Sequence, residues 1–162
     1  MKFITSIQVR WSDLDQNRHV ANTAYSSYMI EARMHFLRQG GFDNQAFAQM
    51  DLGPAIISEE FHYLRETFPD AVLRVDVELS GLSEDERFVR FNHHLYHPDG
   101  GLAVFSRCTF CWISLSTRKV CHAPSELAAW IRGLVRSEDF RVLSKADAFP
   151  VGLPRKRKLE GV

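Results

Sequence analysis

From residue 72 to residue 81 the chain reads VLRVDVELSG, in which Leu73, Val75, Val77 and Leu79 alternate with Arg74, Asp76, Glu78 and Ser80. A period of two belongs to a strand with one buried face, because successive side chains point to opposite sides of a sheet. Such a strand requires hydrogen-bonding neighbours and something apolar to cover it. Other segments supply both. FITSIQVRW (3–11) places Phe3, Ile7, Val9 and Trp11 on alternate positions, as a half-buried strand would. AIISEEFHYLRET (55–67), RFVRFNHHLYH (87–97) and LAVFSRCTFCWISLS (102–116) read as further strands, with turns at Phe68-Pro69-Asp70, Ser83–Glu86 and Pro98-Asp99-Gly100-Gly101.

The cover is the segment NTAYSSYMIEARMHFLRQGG. Tyr25, Tyr28, Met29, Ala32 and Phe36 fall on one helical face, with Asn22 or Thr23 as a candidate cap and Gly40-Gly41 as the stop. A short helix is expected within 43–51, ahead of Gly53-Pro54. A last helix opens at Pro124-Ser125-Glu126, with Leu127, Trp130, Ile131, Leu134 and Val135 as its apolar face. The pattern predicts an α+β domain: an antiparallel sheet of about five strands around one long helix, with a C-terminal helix. The 162 residues suit one domain over 1–150 and a basic tail over 151–162. An antiparallel sheet of this size leaves an edge or a face uncovered, so a homodimer or a dimer of dimers is expected.

The 20 basic and 20 acidic side chains cancel, which argues against a whole-surface nucleic-acid binder. The cancellation is uneven, since residues 1–154 carry 16 bases against 19 acids and RKRKLEGV reverses the sign. No apolar stretch approaches the ~20 residues of a membrane helix. The three cysteines, without a secretory leader, point to free thiols in a reducing cytoplasm. Cys108 and Cys111 lie three apart on a strand and face opposite ways, so they cannot close one zinc site with Cys121-His122. Among His93, His94 and His97 the middle residue points away from the others, so no metal site is expected. Arg155–Lys158 reads as a solvated run.

The segment that carries chemistry is Asp13-Leu14-Asp15-Gln16-Asn17-Arg18-His19, a polar turn entering the first helix. As a calcium loop it fails, because Arg18 and Ala24 stand where Gly and Glu are needed. Capping and turn formation are one use for these residues. Catalysis is another: unpaired N–H groups and the dipole at a helix start stabilise an oxyanion, and a neighbouring carboxylate can attack or activate water.

The run RWSDLDQNRHVANTAYSSYMIEAR (10–33) resembles the opening of the hotdog-fold thioesterases, both the 4-hydroxybenzoyl-CoA thioesterase-like group and the plant acyl-ACP thioesterases with their WSDLDxNxHVxNxxY pattern. Gly53-Pro54 followed by YLRETFPDAVLRV is similar to the family's second block. The resemblance implies a long helix wrapped by a curved antiparallel sheet, with paired subunits forming acyl thioester sites between them. It makes Asp15 the catalytic carboxylate, matches Asn17 and His19 to a D-x-N-x-H set, and puts the oxyanion donor near Asn22. Asp13 is expected to hold the turn. Tyr25, His62 and Glu66 are expected to contact substrate, the last two by shared strand parity. The expected reaction is hydrolysis of an acyl-CoA, or of an acyl group on a carrier protein, with no cofactor beyond the CoA of the substrate. Two departures stand out. Thr67 follows Glu66 where the acyl-ACP branch has Cys, and the chain holds one repeat where the plant enzymes hold two. A hotdog enoyl-CoA hydratase would carry D-x-N-P-x-H, one residue longer than the turn here. A non-catalytic acyl-CoA-binding module is the third possibility.

Overall fold

The computed structural model describes residues 3–149, which leaves Arg155–Lys158 outside the described residues. In chain order the elements are β1 (Phe3–Gln8), a 3-10 turn (Trp11–Asp13), α1 (Asn22–Gln39), α2 (Asn44–Gln49), β2 (Leu52–Tyr63) and β3 (Val72–Ser83). They continue as β4 (Phe88–Tyr96), β5 (Leu102–Ser114), α3 (Ser125–Arg132), β6 (Arg136–Leu143) and α4 (Lys145–Ala148). The strands form one six-stranded sheet in the order β1-β3-β4-β5-β2, with β6 pairing to β3 as well.

β3 behaves as its alternation requires. Leu73, Val75, Val77 and Leu79 are buried on the face that carries α1, where they join Met29, Ala32, Phe36, Phe91, Leu95, Val104 and Phe110 in one core. Each strand partner keeps the period: Val75 pairs with Leu95 and Leu79 with Phe91, all facing inward. One long helix thus lies against a curved sheet, the architecture the resemblance implied.

The sheet has six strands rather than about five because β6 adds to it. β6 runs parallel to β3 and occupies the same side as β1, with β1 against residues 72–77 of β3 and β6 against 79–83. A bulge between Leu79 and Gly81 interrupts the β6 pairing, which jumps from Arg136 to Arg141 across it. A Cβ at Gly81 would come within 2.7 Å of a Leu143 methyl, so a side chain there would push β6 off. α3, expected as the last helix, is followed by α4 and is shorter than its apolar pattern suggested. It ends at Arg132, with Gly133 as its C-cap, so Leu134 and Val135 lie beyond it. Trp130 of α3 packs against Phe36 and Phe42 with centroids 5.1 and 5.5 Å apart.

Two further corrections concern the ends of elements. Trp11 is 87% exposed, because β1 stops at Gln8 and the chain turns before Trp11 could continue the buried face. Asn22 and Thr23 do not cap α1: Ala21 is the N-cap, and Asn22 is the first helical residue. α2, by contrast, has Asp43 as a true cap, accepting from the Ala46 N–H at 2.8 Å. β2 is an outermost strand, and Pro54 near its start fits that position because proline cannot donate to a ladder. A buried ion pair fastens α1 to β2: Arg33 Nη1 lies 2.6 Å from Glu59 Oε1. No helix among the described residues is long and apolar enough to cross a membrane.

Candidate active site

The polar turn is built by its own backbone. The Asp15 N–H donates to the His19 carbonyl at 2.9 Å, the Arg18 N–H donates to the Asp15 carbonyl at 3.1 Å, and Leu14 bridges Val20. Arg18 takes a φ of 63°, the left-handed value that lets the loop close in so few residues. Asp13 ties this loop to its surroundings. Its Oδ2 accepts from the Arg10 N–H at 2.9 Å and from the Tyr28 hydroxyl at 2.8 Å, and its carbonyl accepts from the Ala21 N–H at 2.8 Å. Burial and this carboxylate together push the Tyr28 phenol far above the usual tyrosine range.

Asp15 is left with one oxygen engaged. Its Oδ1 accepts from the Asn17 N–H at 2.8 Å and, at a longer 3.4 Å, from the His19 N–H. Its Oδ2 has no hydrogen-bond partner among the described residues. The carboxylate is therefore aimed by its own loop, with one oxygen free for chemistry.

The chain leaving β2 forms the opposite wall. The Val20 N–H donates to the Thr67 carbonyl at 2.9 Å, which joins the turn to that segment. His19 reaches across, with Nε2 3.5 Å from Glu66 Oε2 and its ring edge-on to Phe68. Between the walls is a cleft of about 410 Å³, lined by Asp15, His19, Asn22, Tyr25, Tyr63 and Glu66 among others. Tyr25 and Tyr63 close one end with ring centroids 5.6 Å apart. Burial raises the Tyr25 phenol above its ordinary range, and the charges of Tyr63 and Asp15 push in the same direction. Tyr25 thus remains a neutral hydroxyl at physiological pH.

Asn22 begins α1 inside this cleft, and no side chain caps that helix. The first turn of a helix carries N–H groups with no intrahelical acceptor and the positive end of the dipole. A free carboxylate oxygen and an uncapped helix start thus border one space, a combination suited to attack on a carbonyl whose oxygen gains charge.

Asp15, His19, Asn22, Tyr25 and Glu66 are brought together. Asn17 is exposed and contributes its backbone N–H to Asp15. His62 lies off the cleft: its Nε2 is 2.6 Å from Glu60 Oε1, and its ring packs near Phe105 on the other face of the sheet. The parity that linked His62 to Glu66 fails because β2 ends at Tyr63 and the chain then bends. Tyr63 and Thr67 also line the cleft, Thr67 at the position that the resemblance assigns to a cysteine in the acyl-ACP branch; for Tyr63 the only signal in the sequence is its nearness to Glu66. Cys108 packs into the core under α1, whereas Cys111 joins a smaller cluster with Phe88 and Leu143 on the other face. Among the described residues no group of three or more His, Cys, Asp or Glu side chains could hold a metal ion.

Residues 9–131 match the family model described as the thioesterase-like superfamily. No curated protein has a matching sequence. Solved structures are similar over most of the chain. The 1,4-dihydroxy-2-naphthoyl-CoA thioesterase from Synechocystis has a TM-score of 0.73 at 15% identity, over 82% of this chain and 97% of that one. The DHNA-CoA thioesterase from Staphylococcus aureus has 0.73 at 16%, over 81% and 87%. The Staphylococcus aureus protein SAV2348, solved in complex with CoA, has 0.73 at 17%, over 98% and 96%. At these identities the likeness shows the hotdog fold.

Proposed function

The chain belongs to the thioesterase-like superfamily, and from that premise we propose that it hydrolyses an acyl-CoA thioester to a carboxylic acid and free CoA. The observation that carries this reading is the pairing, in one cleft, of the free Asp15 Oδ2 with the uncapped start of α1 at Asn22. The names of two similar structures, both thioesterases of aromatic acyl-CoAs, and the CoA complex of a third support the same chemistry.

In this mechanism the thioester carbonyl sits over the first turn of α1, whose N–H groups near Asn22 stabilise the oxyanion as it forms. Asp15 either attacks the carbonyl carbon or takes a proton from the attacking water. Its Oδ1, held by the Asn17 N–H, fixes the direction of Oδ2. His19, steadied by Glu66 and Phe68, positions the water or the thioester sulfur, and Tyr25 lines the acyl side. The leaving thiolate has an intrinsic pKa near ~8.5, so no strong general acid is needed. The mechanism uses only side chains, backbone N–H groups and water. A carrier-protein thioester would present the same reacting atoms.

We also place a second copy of the chain beside β2. That strand is 12 residues long, has no neighbour on its outer edge among the described residues, and leads straight into the cleft wall. An open edge of this length favours strand addition. Light scattering should then give a mass that is an even multiple of 18.6 kDa; a monomer at micromolar concentration would remove this part of the proposal.

The central test is Asp15→Asn, assayed by release of free thiol from a panel of acyl-CoAs. Turnover should fall by at least ~100-fold with an unchanged melting temperature, because Asp15 is exposed and Asn keeps its shape. Near wild-type thiol release in the variant would sink the assignment of Asp15. If enoyl-CoA absorbance changed without thiol release, the chemistry would be hydration; binding with neither signal would mark a non-catalytic module.

A further inference from the structure

Behind the sheet, on the face turned away from α1, a second cleft of about 410 Å³ lies between β2, β4, β5 and the β6–α4 segment. Arg90 of β4, Arg107 of β5 and Arg141 of β6 all line it. Arg90 is the unusual member, at 6% exposure. Its Nε donates to Thr109 Oγ1 at 3.0 Å and one Nη donates to the Asp147 carbonyl at 3.2 Å. Both acceptors are neutral, and no carboxylate among the described residues forms an ion pair with it.

The acids around the cleft are already engaged. Asp139 holds Arg107, Asn92 and Ser137, while Asp147 holds Arg141 and Ser144. Glu60 contacts His62, and Glu59 is bound to Arg33 on the helix side of the sheet. The remaining charge is that of one largely buried guanidinium, with two others beside it. Burial first, then the nearby Arg141 and Arg107, lower the Arg90 pKa from its usual range, as expected of a crowded cation. The charges of Asp147 and Asp139 offset part of this, but each is already paired with another arginine; desolvating a cation with no carboxylate in contact is costly, and an anion seated among the three side chains would offset that cost.

We propose that this cleft is a binding site for a phosphate group, held by Arg90, Arg107 and Arg141. Guanidinium forks match the oxygens of a phosphate two at a time, and donors from three different strands can surround a tetrahedral anion. The wall carrying Arg141 and α4 follows residue 131, where the family match stops, so the site is assembled from the shared domain and a segment outside that match. It lies across the sheet from Asp15 and is independent of the hydrolase reading. The phosphate could be inorganic, or part of a nucleotide such as the one CoA carries.

Calorimetric titration of the full chain with inorganic phosphate and, separately, with 3′,5′-adenosine diphosphate tests this. Saturable binding of one equivalent per chain is expected. Arg141→Ala should weaken it at least tenfold; that side chain is 58% exposed, so its removal spares the fold. Arg90→Lys should weaken it by a similar factor, and Arg38→Ala, remote from the cleft, should not. Tighter binding of the nucleotide assigns the site to a coenzyme phosphate, whereas equal affinities assign it to free phosphate. No saturable binding of either probe overturns the proposal. So does unchanged affinity in Arg141→Ala at an unchanged melting temperature.

Discussion

The two faces of the sheet are held by different physics. Toward α1, Leu73, Leu79, Phe91, Leu95 and Phe110 meet a helix stripe through contacts that are individually weak and numerous. On the other face Asp76 accepts from the His94 N–H and Tyr96 hydroxyl, and Asn92 donates to Asp139, which also holds Arg107. These are directional bonds, each with one partner geometry. The apolar face therefore fixes where the helix lies, while the polar face fixes which side chains converge. Both clefts draw on the second kind of order: one is aimed by Asp13 and Asp15, the other by Thr109 and Asp147.

The comparison can be broken most sharply where a charge intrudes on the apolar side. Arg33→Met leaves Glu59 with only the Ser26 hydroxyl, 3.5 Å away, between α1 and β2, and should cost about 3–5 kcal/mol in a urea melt. A loss below ~1 kcal/mol would mean that Glu59 reaches water easily. Leu79→Ala removes a fully buried side chain from the same face and should cost about 2–5 kcal/mol by the same measurement. On the polar face Tyr96→Phe deletes one donor to Asp76, with an expected loss of about 1.5–3 kcal/mol. If that loss equalled or exceeded the Leu79 loss, the two faces would contribute alike.

The effect that is smallest per step is a slope, spread over several pH units. His93 lies fully buried on the helix side, where burial first and the nearby Arg33 second hold its imidazole down to about 3. The unfolded chain takes up this proton near pH 6.5, the ordinary value, while the folded chain resists until about 3. Stability is therefore full above pH 6.5 and is lost as pH falls toward 3, by up to ~1.4 kcal/mol per pH unit from this one group. His93→Leu should flatten the dependence across that window in urea melts at stepped pH. An unchanged slope would show that other groups dominate acid unfolding.

Much of this was legible in the sequence, and the reasons are local. The alternation in VLRVDVELSG marks β3 because from Leu73 to Ser80 every inward position is apolar and every position between is polar. The turn from Asp13 to His19 is equally readable, since its bonds close within a few residues. β6 is not legible, because Val142 is exposed while Ser137 is buried, and β3, the strand it pairs with, lies more than fifty residues earlier. The bend after Tyr63, which leaves His62 off the cleft that Glu66 lines, is announced by no residue type. The meeting of Arg90, Arg107 and Arg141 needs three strands in register, and no local pattern encodes it.

The strand order carries a consequence in time. β1 and β2 are made first, yet they end on opposite edges of the sheet, β1 against β3 and β2 against β5. As the chain leaves the ribosome, neither has a partner, and α1 has nothing to lay its apolar stripe upon. Only the β3–β4–β5 meander can zip by short hairpins; the two older strands must wait and close onto it from either side. Until residue 114 has emerged, more than half of the chain stands exposed as a sticky intermediate. Synthesis of this molecule is thus most vulnerable just before its fifth strand appears.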